Sequence, residues 1–67
     1  MNEPKYPHIT VQLSGNDANG FFIASNVRMA LKKNNVPKDE QEKFFNEALS
    51  GDYEHLLTTC SKWVRVQ

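Results

Sequence analysis

The sequence has little of what small secreted proteins and membrane proteins rely on. Cys60 is the only cysteine among 67 residues, so the paired cysteines that staple small secreted domains are missing. No run approaches the ~18 apolar residues of a membrane span. The first residues, MNEPKYP, lack the apolar stretch of a signal peptide. We therefore expect a cytoplasmic protein that does not enter a membrane.

The chain also has no excess of one charge. Eight Lys and Arg residues balance eight Asp and Glu residues, giving a formal net charge of zero. Non-specific nucleic-acid binding depends on a positive field, so this class is disfavoured. A chain this short forms one domain and buries roughly 60% of its unfolded surface. A deep active-site pocket, typically ~300 Å³ or more, is therefore unexpected, and self-association is the remaining route to added stability.

Alternating side chains predict a strand near the start of the sequence. Ile9–Leu13 alternates apolar and polar residues and is rich in β-branched types, so Ile9, Val11 and Leu13 should face inward. Prolines precede the strand, and residues 1–7 are predicted as a flexible N-terminal arm. Residues 8–67 are predicted as a single small globular domain.

Helical spacing follows the strand in three segments. Apolar side chains recur on one face of each, namely Ile23, Val27, Ala30 and Leu31, then Phe44, Phe45, Ala48 and Leu49, then Tyr53, Leu56, Leu57, Cys60, Trp63 and Val64. Val64–Val66 alternates again, compatible with a short strand pairing with the first. The predicted fold is α+β, with the order β-α-α-α-β.

The ends of these helices carry recognisable signals. Asn34 or Asn35 can adopt the left-handed conformation that ends a helix, and Pro37 suits the first position of the next one. Gly51 is predicted to close the second helix, and Asp52 to cap the third.

Two motifs carry a resemblance to a known family. The first reads Gly15-Asn16-Asp17-Ala18-Asn19-Gly20-Phe21, and the second reads Ser50-Gly51-Asp52-Tyr53-Glu54-His55-Leu56-Leu57, with Trp63-Val64 beyond. The chain resembles a family of small uncharacterised bacterial and phage proteins, whose pattern is G-x-D-G-N-A-F followed by S-G-D-Y-D-H-L-L and W-V. Ala18 and Gly20 are exchanged relative to that pattern, and Glu54 replaces Asp. The resemblance spans nearly the whole chain and implies no known activity.

The loop of residues 15–20 is one candidate site. Free N–H groups at a helix start can hold an anion, which would suit a nucleotide or another phosphorylated ligand. Its spacing matches neither phosphate-binding glycine motif, and Asp17 opposes an anion. The favoured interpretation is a turn made by Asp17 and a cap made by Asn19. Gly20, Phe21 and Phe22 complete the candidate surface, and one phenylalanine should lie at the edge of the core.

His55 is the second candidate, because its ordinary pKa of about 6.5 suits acid–base work. The sequence offers no nucleophile or orienting partner for it, so we favour a structural role on the helix flank, touching Thr59. His8, His55 and Cys60 lack metal-ligand spacing, and no metal or cofactor is expected. Cys60 is expected to be a buried apolar residue rather than a reactive thiol.

A basic cluster is the third candidate. It comprises Arg28, Lys32 and Lys33, with Lys38 and Lys43 beyond. DNA binding through this face is an alternative, but acidic residues in the same helix pair favour a solvated face. The leading hypothesis is a small non-catalytic binding or interaction module, with a protein partner or a second copy of the chain. Binding of a phosphorylated small ligand is the first alternative.

Overall fold

The computed structural model describes residues 3–12 and 20–67. Its elements are, in chain order, β1 (Tyr6–Val11), α1 (Gly20–Lys33), α2 (Lys38–Ala48), α3 (Tyr53–Trp63) and β2 (Val64–Val66). The α+β class and the β-α-α-α-β order confirm the prediction from the sequence. The helices fall where the apolar side chains recur at helical spacing.

The two strands pair in parallel, so the three helices together form the crossover that joins them. The paired positions are Tyr6 with Val64, Thr10 with Arg65, and Val11 with Val66. The register is irregular between Tyr6 and Thr10, a stretch in which Pro7 has no N–H to give to the ladder. The Pro7 carbonyl instead accepts a hydrogen bond of 2.9 Å from Nε of Arg65.

Part of the segment predicted as an arm contributes to the fold. β1 begins at Tyr6 rather than at Ile9, because Pro7 is accommodated at the irregular part of the pairing. The N–H of Lys5 donates to the carbonyl of Lys62 at 2.8 Å and so extends the contact between the chain ends. Leu13, predicted to face inward, lies outside the described residues.

One hydrophobic core joins all five elements. Its buried members are Ile9, Val11, Ile23, Ala24, Val27, Leu31, Val36, Phe44, Ala48, Leu56, Cys60, Trp63 and Val64. Leu49 and Tyr53, both predicted to face inward, are instead 40% and 44% exposed. Leu49 follows the last residue of α2 and Tyr53 is the first residue of α3. Both therefore lie at the α2–α3 turn, beyond the packed middle of each helix.

The turn between α1 and α2 fixes how these two helices meet. Asn35 adopts the left-handed conformation with φ 65°, as predicted for Asn34 or Asn35. Its N–H donates to Lys32 at 3.1 Å, and the N–H of Val36 donates to Leu31 at 3.0 Å, which satisfies the last carbonyls of α1. Nε2 of Gln41 then donates to the Val36 carbonyl at 2.9 Å, tying α2 to the turn.

Candidate binding groove

His55 makes its hydrogen bonds within and next to the turn between α2 and α3. Nε2–H of His55 donates to the carbonyl of Glu47 at 2.8 Å, and Oγ of Ser50 donates to the same oxygen at 2.7 Å. Oδ1 of Asp52 accepts from the N–H of His55 at 2.9 Å, which confirms Asp52 as the cap of α3. Thr59 donates to the His55 carbonyl at 2.8 Å. These contacts use His55 to close a turn, which supports the structural interpretation.

Gly51 has a steric role in this turn that the sequence analysis missed. A Cβ atom at Gly51 would lie 2.8 Å from Cγ and 2.9 Å from Cβ of His55. The predicted helix-ending role of Gly51 is wrong, because α2 ends at Ala48 and Leu49 is its C-cap. Gly51 is required for the close approach of the imidazole ring.

We expect Gly51→Ala to destabilise the fold by about 1–3 kcal/mol, because the ring must move and the Glu47 carbonyl loses a donor. The measurement is urea denaturation of Gly51→Ala, His55→Gly and the double variant. With His55 replaced by glycine, the Cβ atom and the ring are both gone, and Gly51→Ala should cost much less. Equal costs of Gly51→Ala in both backgrounds would contradict the steric explanation.

The two adjacent phenylalanines of α1 are both exposed. Phe21 is 59% exposed and Phe22 is 57% exposed, so the expectation that only one would leave the core is wrong. The inward face of α1 is already filled by residues such as Ile23 and Val27. The Phe21 ring meets the half-buried Phe45 ring edge-on, with centroids 5.7 Å apart.

The remaining residues of the loop candidate divide into two groups. Asp17 and Asn19 lie outside the described residues. Gly20 is the first residue of α1, and a Cβ atom there would lie 2.9 Å from Cδ2 of Leu56 in α3. Gly20 therefore allows α1 to approach α3 closely.

An open groove of about 940 Å³ lies between α1 and α2. Its cationic lining residues are Arg28, Lys32, Lys33 and Lys38. The other described residues that line it are Ser25, Met29 and Gln41. We call this the basic groove. The structure thus gathers the predicted basic face with Lys38, and it adds an exposed methionine that the sequence analysis did not single out.

Helical spacing explains which cations enter the basic groove. Ser25, Arg28 and Lys32 follow one another at intervals of three and four residues, so they lie along one side of α1. Lys38 is the first residue of α2 and reaches the groove from the other side. Lys43 is five residues further along α2, roughly 140° around the helix. The electrostatic influence of Lys43 falls on Glu40, on another face of α2.

The guanidinium of Arg28, one of the cations of the groove, lies against an aromatic ring. Its Cζ atom lies 5.1 Å from the centroid of the Phe45 ring, within the range of a cation–π contact. Phe21 packs against the same ring. The basic groove and the exposed phenylalanine of the loop candidate therefore form one continuous surface.

Two glutamates of α2 face away from this surface. Glu40 forms an ion pair with Lys5, and its Oε1 accepts from the hydroxyl of Tyr6 at 3.4 Å. Oε2 of Glu47 lies 3.7 Å from Nζ of Lys62, and Oε1 of Glu47 accepts from Trp63 at 3.4 Å. The chain is neutral overall, but these carboxylates are engaged on the β1 and α3 side of α2.

The Lys5–Glu40 contact also appears in the titration of both groups. The hydrogen bond from Lys5 holds the pKa of Glu40 below its ordinary value, and the same contact raises the pKa of Lys5. Burial and the nearby Glu40 charge raise the pKa of Tyr6. Nζ of Lys5 lies 4.6 Å from the centroid of a Trp63 ring, so this cluster fastens the chain start to α3.

Cys60 is fully buried in the core, as predicted. Burial raises the pKa of its thiol to about 11. Because the thiolate is the nucleophilic form, a buried thiol with a raised pKa is unreactive near neutral pH. Cys60 therefore acts as a small apolar residue between the helices.

Comparison with known proteins gives no match for this chain. No protein-family model, no curated protein and no solved structure matches the chain. Within residues 3–12 and 20–67, no helix combines the length and apolarity needed to span a bilayer. In the same residues, no three His, Cys, Asp or Glu side chains converge as a metal site would require.

Proposed function

We propose that this chain is a small non-catalytic interaction module that binds a protein partner through α1 and the basic groove. The observation that carries the proposal is Met29, which is 55% exposed and lies in a groove lined by four cations. Exposed apolar side chains rimmed by polar groups are typical of interaction sites.

The exposed apolar residues of α1 support this surface. Phe22 and Met29 are seven residues apart and therefore lie on one face of the helix, opposite the core. Phe21 lies beside them, next to the groove. Aromatic residues, methionine and arginine are the types enriched at protein interfaces. Together with Arg28 of the basic groove, these residues combine all three types.

The engagement of His55 and Cys60 within the fold supports the non-catalytic part of the proposal. His55 closes the α2–α3 turn, and Cys60 is buried with a raised pKa. A general base or nucleophile must reach a substrate. Both groups are instead occupied within the fold.

Site-specific photocrosslinking in the source cells tests the proposal. The photoreactive amino acid p-benzoylphenylalanine is placed at position 29 in the basic groove. The matched control carries it at position 58, where the exposed Thr58 lies on the outward face of α3. We expect protein adducts at position 29 in clear excess over position 58, because the partner covers the groove.

The mass of the adduct identifies the kind of partner. A product of twice the chain mass would identify a second copy of the chain, and any other discrete mass would identify a different protein. Equal labelling at positions 29 and 58, or no protein adduct at position 29, would contradict the proposal.

A further inference from the structure

The chemistry of the basic groove specifies what kind of partner segment fits it. Four cationic side chains surround it, and among residues 3–12 and 20–67 no acidic residue lines it. Like charges across an interface are unfavourable, whereas opposite charges steer the partner and fix its register. The segment that occupies the groove should therefore carry carboxylates or phosphates.

The exposed Met29 helps to decide between an occupant with carboxylates and one with phosphates. Its exposed side chain lies among the cations that line the groove. A methionine is apolar, unbranched and adaptable, which suits contact with another apolar side chain. A free phosphate brings no apolar group to this position. A segment with both carboxylates and a large apolar side chain matches the lining.

The groove is also a poor track for a nucleic-acid backbone. Its α2 side is 11 residues long, which is about 16 Å of helix. Asp39 and Glu42 are exposed on α2 close to Lys38 in sequence. A strand with a phosphate at every nucleotide would carry charge past these carboxylates, whereas a polypeptide carries carboxylates only where its own sequence places them. The Phe45 ring is engaged by Phe21 and Arg28, which leaves it unsuited to stacking with a base.

We infer that the basic groove binds an acidic segment of a partner polypeptide, whose carboxylates pair with Lys32, Lys33 and Lys38 while an apolar side chain rests on Met29. This inference rests on the proposed function. It assigns the partner a chemistry, and it assigns Lys38 and Met29 separate contributions to charge and to apolar contact.

Fluorescence anisotropy with defined probes tests the inference. The first probe is a labelled peptide of about 12 residues, long enough to follow the groove, in which leucine recurs every third or fourth residue among glutamates. The others are an all-glutamate peptide and an oligothymidylate of the same length. We expect the glutamate–leucine peptide to bind most tightly.

Matched charge reversals locate the binding. Lys38→Glu and Lys43→Glu make the same change in charge on the same helix, but only Lys38 lines the groove. We expect Lys38→Glu to lower the affinity for the glutamate–leucine peptide about tenfold. Lys43→Glu should change this affinity less than about twofold. Equal losses in both variants would overturn the inference, because they would show attraction to the overall charge alone.

A second pair of variants isolates the apolar contact. Met29→Asn should lower the affinity for the glutamate–leucine peptide but leave the affinity for the all-glutamate peptide unchanged. Leu49→Asn changes an exposed leucine outside the groove and should alter neither affinity. Circular dichroism confirms that each variant is folded. Equal losses for both peptides in Met29→Asn would overturn the assigned apolar contact.

Two further outcomes would overturn the inference, and they separate its failure from a failure of the proposed function. Tighter binding of oligothymidylate than of either peptide, with a steep salt dependence, would assign the groove to nucleic acid. Failure of all probes to bind, together with protein adducts at position 29, would refute the acidic segment and retain the interaction module. Failure in both experiments would remove the proposed function as well.

Discussion

The variant Phe44→Ala should be about half unfolded at room temperature. Phe44 is fully buried, and its ring meets Trp63 edge-on with centroids 5.6 Å apart. Truncating a buried phenylalanine typically costs about 3–5 kcal/mol. A single small core rarely supplies more than about 3–5 kcal/mol in total. The loss therefore equals the stability that a domain of this size has available.

Urea denaturation followed by circular dichroism measures this effect. Phe22→Ala is the matched control, because it makes the same substitution on α1 at a side chain that is 57% exposed, and we expect it to change stability by less than about 0.5 kcal/mol. Phe44→Leu retains most of the volume and should lie between the two. Similar denaturation midpoints for Phe44→Ala and Phe22→Ala would contradict the core described above.

The second large effect is a loss of stability in alkali that depends on Cys60. Burial raises the pKa of this thiol from 9.0 to about 11. The folded state therefore favours the protonated thiol, and its contribution is complete below pH 9 and lost as the pH rises to about 11. A shift of this size corresponds to about 3 kcal/mol at most.

Cys60→Ala provides the control for this titration. The variant loses packing at every pH, but it has no thiol to ionise, so its stability should fall less steeply between pH 9 and 11. Subtracting the two curves removes the contribution of tyrosines and lysines. In the native protein near pH 8, alkylation of Cys60 should be at least roughly 100-fold slower than in urea. Parallel stability curves would contradict the raised pKa.

The sequence predicts the order of the elements because three helices have strong periodicity. The residues Ile23, Val27 and Leu31 recur at helical spacing, and all three are buried. The same reasoning could not give the direction of the sheet, because the alternation at Val64–Val66 is equally compatible with parallel and antiparallel pairing. The sequence pattern places the start of β1 too late, because proline usually interrupts a strand. That Pro7 fits into β1 depends on the irregular register with the partner strand.

The sequence predicts the α1 side of the basic groove but not its α2 side, for a similar reason. The spacing of Arg28 and Lys32 places them on one side of α1, and this can be read from the sequence. Whether Lys38 or Lys43 joins them depends on the left-handed turn at Asn35, which sets how α2 meets α1. The role of Gly51 was likewise hidden, because it depends on the position of the His55 ring.

The parallel pairing of β1 with β2 sets the order in which this fold can form. The hydrogen bond between Pro7 and Arg65 joins residues 58 positions apart, and closing so long a loop costs chain entropy before any strand contact is gained. Helices and their local turns form within about a microsecond and shorten that loop. The sheet should therefore close last, and substitutions in β2 should mainly accelerate unfolding rather than slow folding.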